Sequence, residues 1–225
     1  LSGWRTDFRR REEDTVIDLY TWTTPNGRKV SIMLEEVGLP YKAIPINISK
    51  DEQFAPSFLK ISPNNKIPAI VDHDNDVAMM ESGAILIYLA EKSGKLMPKD
   101  DKGRWKVLEW LMFQMASVGP NFGQVHHFVK YNPGKAPYAE NRFLTEAKRL
   151  YGVMDKKLGE SEFLAGAYSI ADIATWPWVS RFEWQTIDLN EYPNVKRWYL
   201  AMAKRPGVQK GYDVPAKVGD LPLPA

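Results

Sequence analysis

The stretch TVIDLYTWTTPNGRKVSIMLEEVGLP, residues 15–40, sets out a strand, a turn and a helix in that order. Val16-Ile17-Asp18-Leu19-Tyr20 is a short run of β-forming residues, ended by the turn-forming cluster Thr24-Pro25-Asn26-Gly27. Beyond the turn, Val30, Met33, Leu34 and Val37 recur at helical spacing until Gly38 and Pro40 stop the helix. Working outward, Tyr41 to Ile48 alternates as a second strand, and Gln53 to Leu59 gives a short helical stretch closed by Ser62-Pro63. Ala69-Ile70-Val71 and Val77-Ala78-Met79-Met80, separated by polar residues 72–76, read as an antiparallel hairpin. A helix then starts at Ser82, turns Ile85, Leu86 and Leu89 inward and stops at Gly94. The order βαβαββα predicts an α/β thioredoxin-like domain over residues 16–92.

Residues 93–102 are charged, contain Gly94 and Pro98, and read as a linker. An all-helical domain is expected over residues 103–207. Trp105, Leu108, Met112, Met115 and Phe122 form one apolar stripe; Phe143, Ala147, Leu150, Met154 and Leu158 form another, ended by Gly159. Ser169-Ile170-Ala171-Asp172 is a capping signature, Pro177 is expected to kink or break the helix that follows, and a last helix runs from Pro193 to Lys204 and stops at Arg205-Pro206-Gly207. Residues 1–15, with four basic and four acidic side chains, read as a solvated arm, and residues 208–225 as a tail.

The 225-residue chain contains no cysteine, so it can build no disulfide scaffold, no cysteine-ligated zinc site and no protein thiol nucleophile. Any sulfur chemistry has to come from a ligand. A net charge of +2 gives no excess for nonspecific phosphate binding, which argues against nucleic acid as a partner. No apolar run is long enough to cross a membrane, and a cytoplasmic location is expected. His126 and His127 are adjacent, so on a helix they point about 100° apart and do not form a metal site. One of them lining a pocket or capping a buried carbonyl is the expectation; most of Trp105, Trp110, Trp176, Trp178 and Trp198 are expected in the core.

Three segments carry candidate chemistry. Thr23 to Gly27 opens a helix, where free amides and the helix dipole favour an anion such as a thiolate; plain capping by Thr24 or Asn26 is the alternative. Asn64-Asn65-Lys66-Ile67-Pro68-Ala69-Ile70 places Pro68 immediately before a strand. A cis Ile67-Pro68 bond is predicted there, turning the Ile67 backbone toward solvent, where an extended peptide can pair with it; an ordinary trans proline is the alternative. Glu81-Ser82 sits at a strand-to-helix junction, where Glu81 can hold an ammonium and the Ser82 amide a carboxylate, the two charges of an amino-acid head group; simple capping by Ser82 is the alternative.

With these segments, Gly123-Gln124-Val125-His126-His127-Phe128 and Ser169-Ile170-Ala171-Asp172-Ile173 complete a set that resembles the bacterial nu-class glutathione transferases over about Val16 to Gly207. The resemblance implies a thioredoxin-like domain followed by an all-helical domain, in a homodimer with each active site near the subunit interface. It assigns Thr24 and Asn26 to the glutathione sulfur, Ile67 before Pro68 to the cysteinyl backbone, and Glu81 and Ser82 to the γ-glutamyl end. Gln53 and Lys66 would reach toward the glycyl end, and Arg142 would contact a second glutathione. The activity it implies is glutathione-dependent reduction of a small disulfide, with two glutathione molecules or glutathione disulfide at one site and no metal. Conjugation of glutathione to a small electrophile and a noncatalytic glutathione-binding or regulatory module are the alternatives. Tyr20, at the end of the first strand, is a rival sulfur ligand or else a core tyrosine.

Overall fold

The computed structural model describes residues 16–224. The arm expected at residues 1–15 lies outside the described residues. Four strands form one mixed sheet in the order β2-β1-β3-β4, with β1 Ile17–Thr21, β2 Tyr41–Pro45, β3 Ala69–Asp72 and β4 Val77–Met80. β1 runs parallel to β2 and antiparallel to β3, and β3 and β4 make the expected hairpin. Helix α1, Pro25–Val37, is the crossover from β1 to β2; α2, Pro56–Leu59, leads toward β3; and α3, Ser82–Ser93, follows β4. Gly38 and Gly94 close α1 and α3 in the left-handed conformation, which costs glycine little because it has no Cβ. This is the thioredoxin-like unit read from the sequence. The helical stretch expected at Gln53–Leu59 is divided into a 3₁₀ turn, Glu52–Phe54, and the short α2, because Pro56 has no amide hydrogen to carry one ladder through.

The remainder is helical: α4 Asp101–Phe113, α5 Gly119–Val125, α6 Pro137–Glu160, α7 Ile170–Val179, α8 Pro193–Ala203 and α9 Pro206–Tyr212. Two π-helical segments, Gln114–Val118 and His126–Tyr131, flank α5. The stripe drawn through Trp105 and Met112 is corrected to another face of α4, which ends before either π-helical segment begins. The buried line is Val107, Leu111, Gln114, Val118, Phe122 and Val125, whereas Trp105 is 65% and Met112 49% exposed. The second stripe is seen with Tyr151 added, and α6 runs one residue past Gly159. Pro177 does not break α7: every residue of that helix is buried, and packing holds the turn that proline weakens. The capping box of Ser169 and Asp172 is present. Asp172 also accepts hydrogen bonds from the Leu164 amide at 3.0 Å and the Trp198 indole at 2.9 Å, joining three parts of the helical layer.

Pro206 starts a further helix instead of ending the chain's helical part, because its fixed φ and missing amide hydrogen suit a first turn. That helix packs on α1. Ser31 Oγ donates to the Gly211 carbonyl at 2.7 Å, and Arg28 Nε donates to the Tyr212 carbonyl at 3.0 Å. The Arg28 guanidinium stacks 3.5 Å from the Tyr212 ring centre. The tail then folds back, and Tyr199 Oη donates to the Pro222 carbonyl. A methyl group on Gly211 would stand 2.5 Å from the Ile32 backbone, a clash between two helices that neither can relieve by rotating a side chain. Gly211→Ala is expected to lower the unfolding free energy by about 2–3 kcal/mol in urea denaturation. Gly152→Ala, on an open face of α6, is expected to raise it by up to about 1 kcal/mol.

Candidate functional site

A cleft of about 180 Å³ opens where the start of α1, the loop before β3 and the β4–α3 junction meet the helical layer. Asn26, Lys66, Ile67, Pro68, Glu81 and Ser82 line it, together with Ser62, Met80 and Met115. Six residues singled out from three separate stretches of sequence thus share one cavity. Thr24 stands at the head of α1 as its N-cap, its Oγ1 accepting from the Gly27 amide at 3.2 Å. Capping engages the oxygen and leaves the hydroxyl proton free to donate. Gly27 permits this turn: a Cβ there would meet the Trp22 carbonyl oxygen.

The Ile67–Pro68 peptide bond is cis. Its loop is anchored by buried Ser62, whose Oγ donates to the Lys66 carbonyl at 2.8 Å and lies 3.4 Å from the Lys66 amide. Glu81 adopts φ 72° and ψ 107°, a backbone region that side-chain-bearing residues rarely occupy, and its side chain is exposed at the cleft. Ser82 does not cap α3, because Glu81 occupies the cap position. The Ser82 hydroxyl is buried and receives a hydrogen bond from Lys29 Nζ at 3.3 Å. The amides at the start of α3 keep no partner within the helix and suit an incoming carboxylate.

Thr24, Gln53 and Arg142 are not among the residues lining this cleft. Gln53 sits on the 3₁₀ turn, its Nε2 3.4 Å from Asp51 Oδ1 and its Oε1 buried without a partner. Arg142 lines a separate hollow on α6 with Tyr138 and Asn141, faced by Asn121. Tyr20 packs against Phe58 with the rings tilted by 45°, and burial raises its phenol pKa, so the hydroxyl keeps its proton. His126 and His127 diverge: His127 is exposed, while His126 is buried and stacks on Trp178. Among the described residues no group of three or more potential metal ligands comes together.

Two side chains beneath the cleft were not singled out by the sequence reading. Trp178 Nε1 donates to Asn26 Oδ1 at 3.0 Å. An indole N–H can only donate, so the amide oxygen must face it and the amide nitrogen is left to face elsewhere as a donor. Trp178 is itself held by Gln185, whose Nε2 donates to its carbonyl at 2.8 Å and lies 3.2 Å from His126 Nε2. No local pattern could have revealed a contact across 152 positions. Lys29 is the second, wholly buried and bonded to Gln114 Oε1 at 2.6 Å as well as to Ser82. Its signal was legible: Lys29 shares the i, i+4, i+8 line of Met33 and Val37, a charge on an inward-facing stripe.

The glutathione S-transferase N-terminal domain family matches residues 19–96, and the glutathione S-transferase C-terminal domain family matches residues 116–206. Over 211 residues the chain is 46% identical to the disulfide-bond oxidoreductase YfcG of Escherichia coli K12, covering 91% of this chain and 98% of that one. A glutathione transferase family member from Pseudomonas fluorescens, crystallised with two glutathione bound, superposes with a TM-score of 0.83. It is 44% identical over 92% of this chain and 96% of its own. A glutathione transferase from Pseudomonas putida, holding one glutathione disulfide per subunit, gives 0.85 at 42% identity over 92% and 95%.

Burial, reinforced by the charge of Arg181, lowers the His126 pKa to about 4, so the folded protein holds a neutral ring. The unfolded ring titrates near 6.5 and therefore binds a proton first as pH falls. The stability linked to the neutral ring is complete above about pH 7 and is lost between about 6.5 and 4. The stability advantage of the native protein over His126→Gln should shrink by about 2 kcal/mol between pH 7.5 and 5, read from urea unfolding curves at each pH.

Proposed function

This chain belongs to the glutathione S-transferase family, and from that premise we propose that it is a nu-class enzyme reducing small disulfides with two glutathione molecules. The observation that carries the reading is the Trp178–Asn26 hydrogen bond in a chain with no cysteine. It keeps an amide donor at a cleft where the nucleophile must be a ligand's sulfur. Thr24 and Asn26 are the residues assigned to that sulfur. The cis Ile67–Pro68 segment would pair with the cysteinyl backbone, with Glu81 and Ser82 at the γ-glutamyl end and Lys66 at the glycyl end. Gln53 is assigned to the glycyl end and Arg142 to the second glutathione. Likeness to YfcG and to neighbours holding two glutathiones or glutathione disulfide supports this assignment of activity.

In the first step, one glutathione thiolate attacks a substrate disulfide, forming a mixed disulfide and releasing a thiolate that takes a proton from water. A second glutathione thiolate then attacks the glutathione sulfur of the mixed disulfide. Glutathione disulfide forms, and the remaining substrate thiol leaves. Two electrons pass from two thiols to one disulfide. Lowering a thiol pKa from about 8.5 by roughly two units raises its thiolate fraction at pH 7 about 25-fold, but the weaker nucleophile gives back roughly eightfold. The net gain is about threefold. Holding two sulfurs in line supplies the larger share, because effective molarities of oriented groups reach about 10⁵ M and more.

The exposed Trp105 and Met112, two turns apart on one face of α4, support assembly of the chain as a homodimer through that face. No helix among the described residues is long and apolar enough to cross a membrane.

Turnover of hydroxyethyl disulfide by glutathione should exceed the buffer rate, and a rate equal to buffer would sink the reading. Thr24→Ala and Asn26→Ala are each expected to lower kcat/KM at least about tenfold, whereas Tyr20→Phe stays within about twofold. Equal losses for Tyr20→Phe and Asn26→Ala would return the sulfur site to the tyrosine. Trp105→Glu is expected to shift the sedimentation coefficient from a dimer to a monomer value.

A further inference from the structure

The Lys29 ammonium is sealed under the cleft. Its partners are neutral: Ser82 Oγ at 3.3 Å, Gln114 Oε1 at 2.6 Å and Met115 Sδ at 3.5 Å. No carboxylate among the described residues is within ion-pair distance of it. Ser82 and Met115 are also walls of the cleft, so the amine lies one side chain below the ligand space. The charged groups on the elements around α1 are turned elsewhere. Arg28 stacks on Tyr212 of α9, and Glu36 pairs with Arg205. Asp172 of α7 is tied to Trp198 and the Ser169 cap. Lys92 of α3 pairs with Asp72 of β3, and Asp18 of β1 faces His73. Glu81, at the cleft, is the remaining charge that acts on Lys29, and it does so through space.

A buried cation without a counter-ion is expensive, and a lysine relieves the cost by shedding its proton. An anion arriving at Ser82 reverses the balance, because a nearby opposite charge favours the protonated amine. We propose that Lys29 is the buried counter-charge for the α-carboxylate of the γ-glutamyl group seated at Ser82, and that its amine takes a proton from solvent when that carboxylate binds. The proposal rests on the glutathione reading above. Lys29 is here a positioning residue: it acts through the Ser82 hydroxyl, which it holds in place, and does not touch the reacting sulfur.

Burial brings the Lys29 pKa down to about 7 in the free protein. About a quarter of the amine is then charged at pH 7.5, and full charging in the complex requires uptake of about 0.75 proton per site, falling to about 0.1 at pH 6. Titration calorimetry with S-methylglutathione, which has no thiol to ionise, in phosphate and in Tris buffers reads this number from the difference in apparent enthalpy. The expected result is about 0.75 proton at pH 7.5 with the native protein and uptake near zero with Lys29→Met. The analogue whose α-carboxylate is converted to a carboxamide should bind the native protein more weakly and without uptake, an arm that needs no variant to fold. Binding of S-methylglutathione without proton uptake, or uptake that persists in Lys29→Met or with the carboxamide, overturns the role of Lys29 and leaves the glutathione site standing. Failure of S-methylglutathione to bind overturns both.

Discussion

Helix α1 is enclosed on every side, and two of its enclosed side chains are cations. The sheet lies against one flank, and α3, α7 and α9 close the others. Most of the residues from Gly27 to Val37, Arg28 and Lys29 included, are buried. A helix in that position cannot be partnered by the α/β domain alone, which is why the helical layer and the C-terminal helix are required by the same fold that builds the cleft. Arg28 is accommodated by the Tyr212 carbonyl and ring of α9, and Lys29 by Ser82 and by Gln114 on a π-helical segment of the helical layer. Each cation draws a distant element onto α1. The cleft lies at the convergence of those elements.

The same enclosure determines what the start of α1 can do. Its free amides favour a negative group, and its dipole points the same way. Those features are present at any helix start, however, and carry no selectivity of their own. Selectivity enters with Asn26, whose amide is turned by the indole of Trp178 so that only its nitrogen is left to donate. A donor fixed in this sense suits a thiolate, which accepts hydrogen bonds and offers none. The chain supplies no thiol. In the proposed function the chemistry therefore depends on how firmly glutathione is held between the Ser62-anchored loop and the Glu81–Ser82 junction.

Much of this was legible in the residues because it is set by local rules. The strand–turn–helix over residues 17–37, the hairpin at residues 69–80 and the capping box at Ser169 each rest on interactions within a few positions, and each appears in the structure. The stripe through Trp105 and Met112 had the helical period but the wrong face, because α7 packs on the side of Val107 and Leu111. Pro177 was expected to kink or break its helix, yet the fully buried α7 runs unbroken through it. Pro206 was read as a stop, although a proline that ends one helix is equally suited to begin another.

By itself the sequence determined the thioredoxin-like unit, the absence of a protein thiol and the three segments that meet at the cleft. Those follow from hydrophobic period, turn chemistry and a count of cysteines, all of which act locally or over the whole chain at once. Only the tertiary structure decided that Asn26 presents its nitrogen and that Lys29 lies under Ser82. It also decided that Thr24, Gln53 and Arg142 are not part of the lining of the cleft. Hydrogen-bond direction and burial depend on which distant group arrives opposite, and sequence spacing carries no record of Trp178 reaching Asn26 or of Gln114 reaching Lys29.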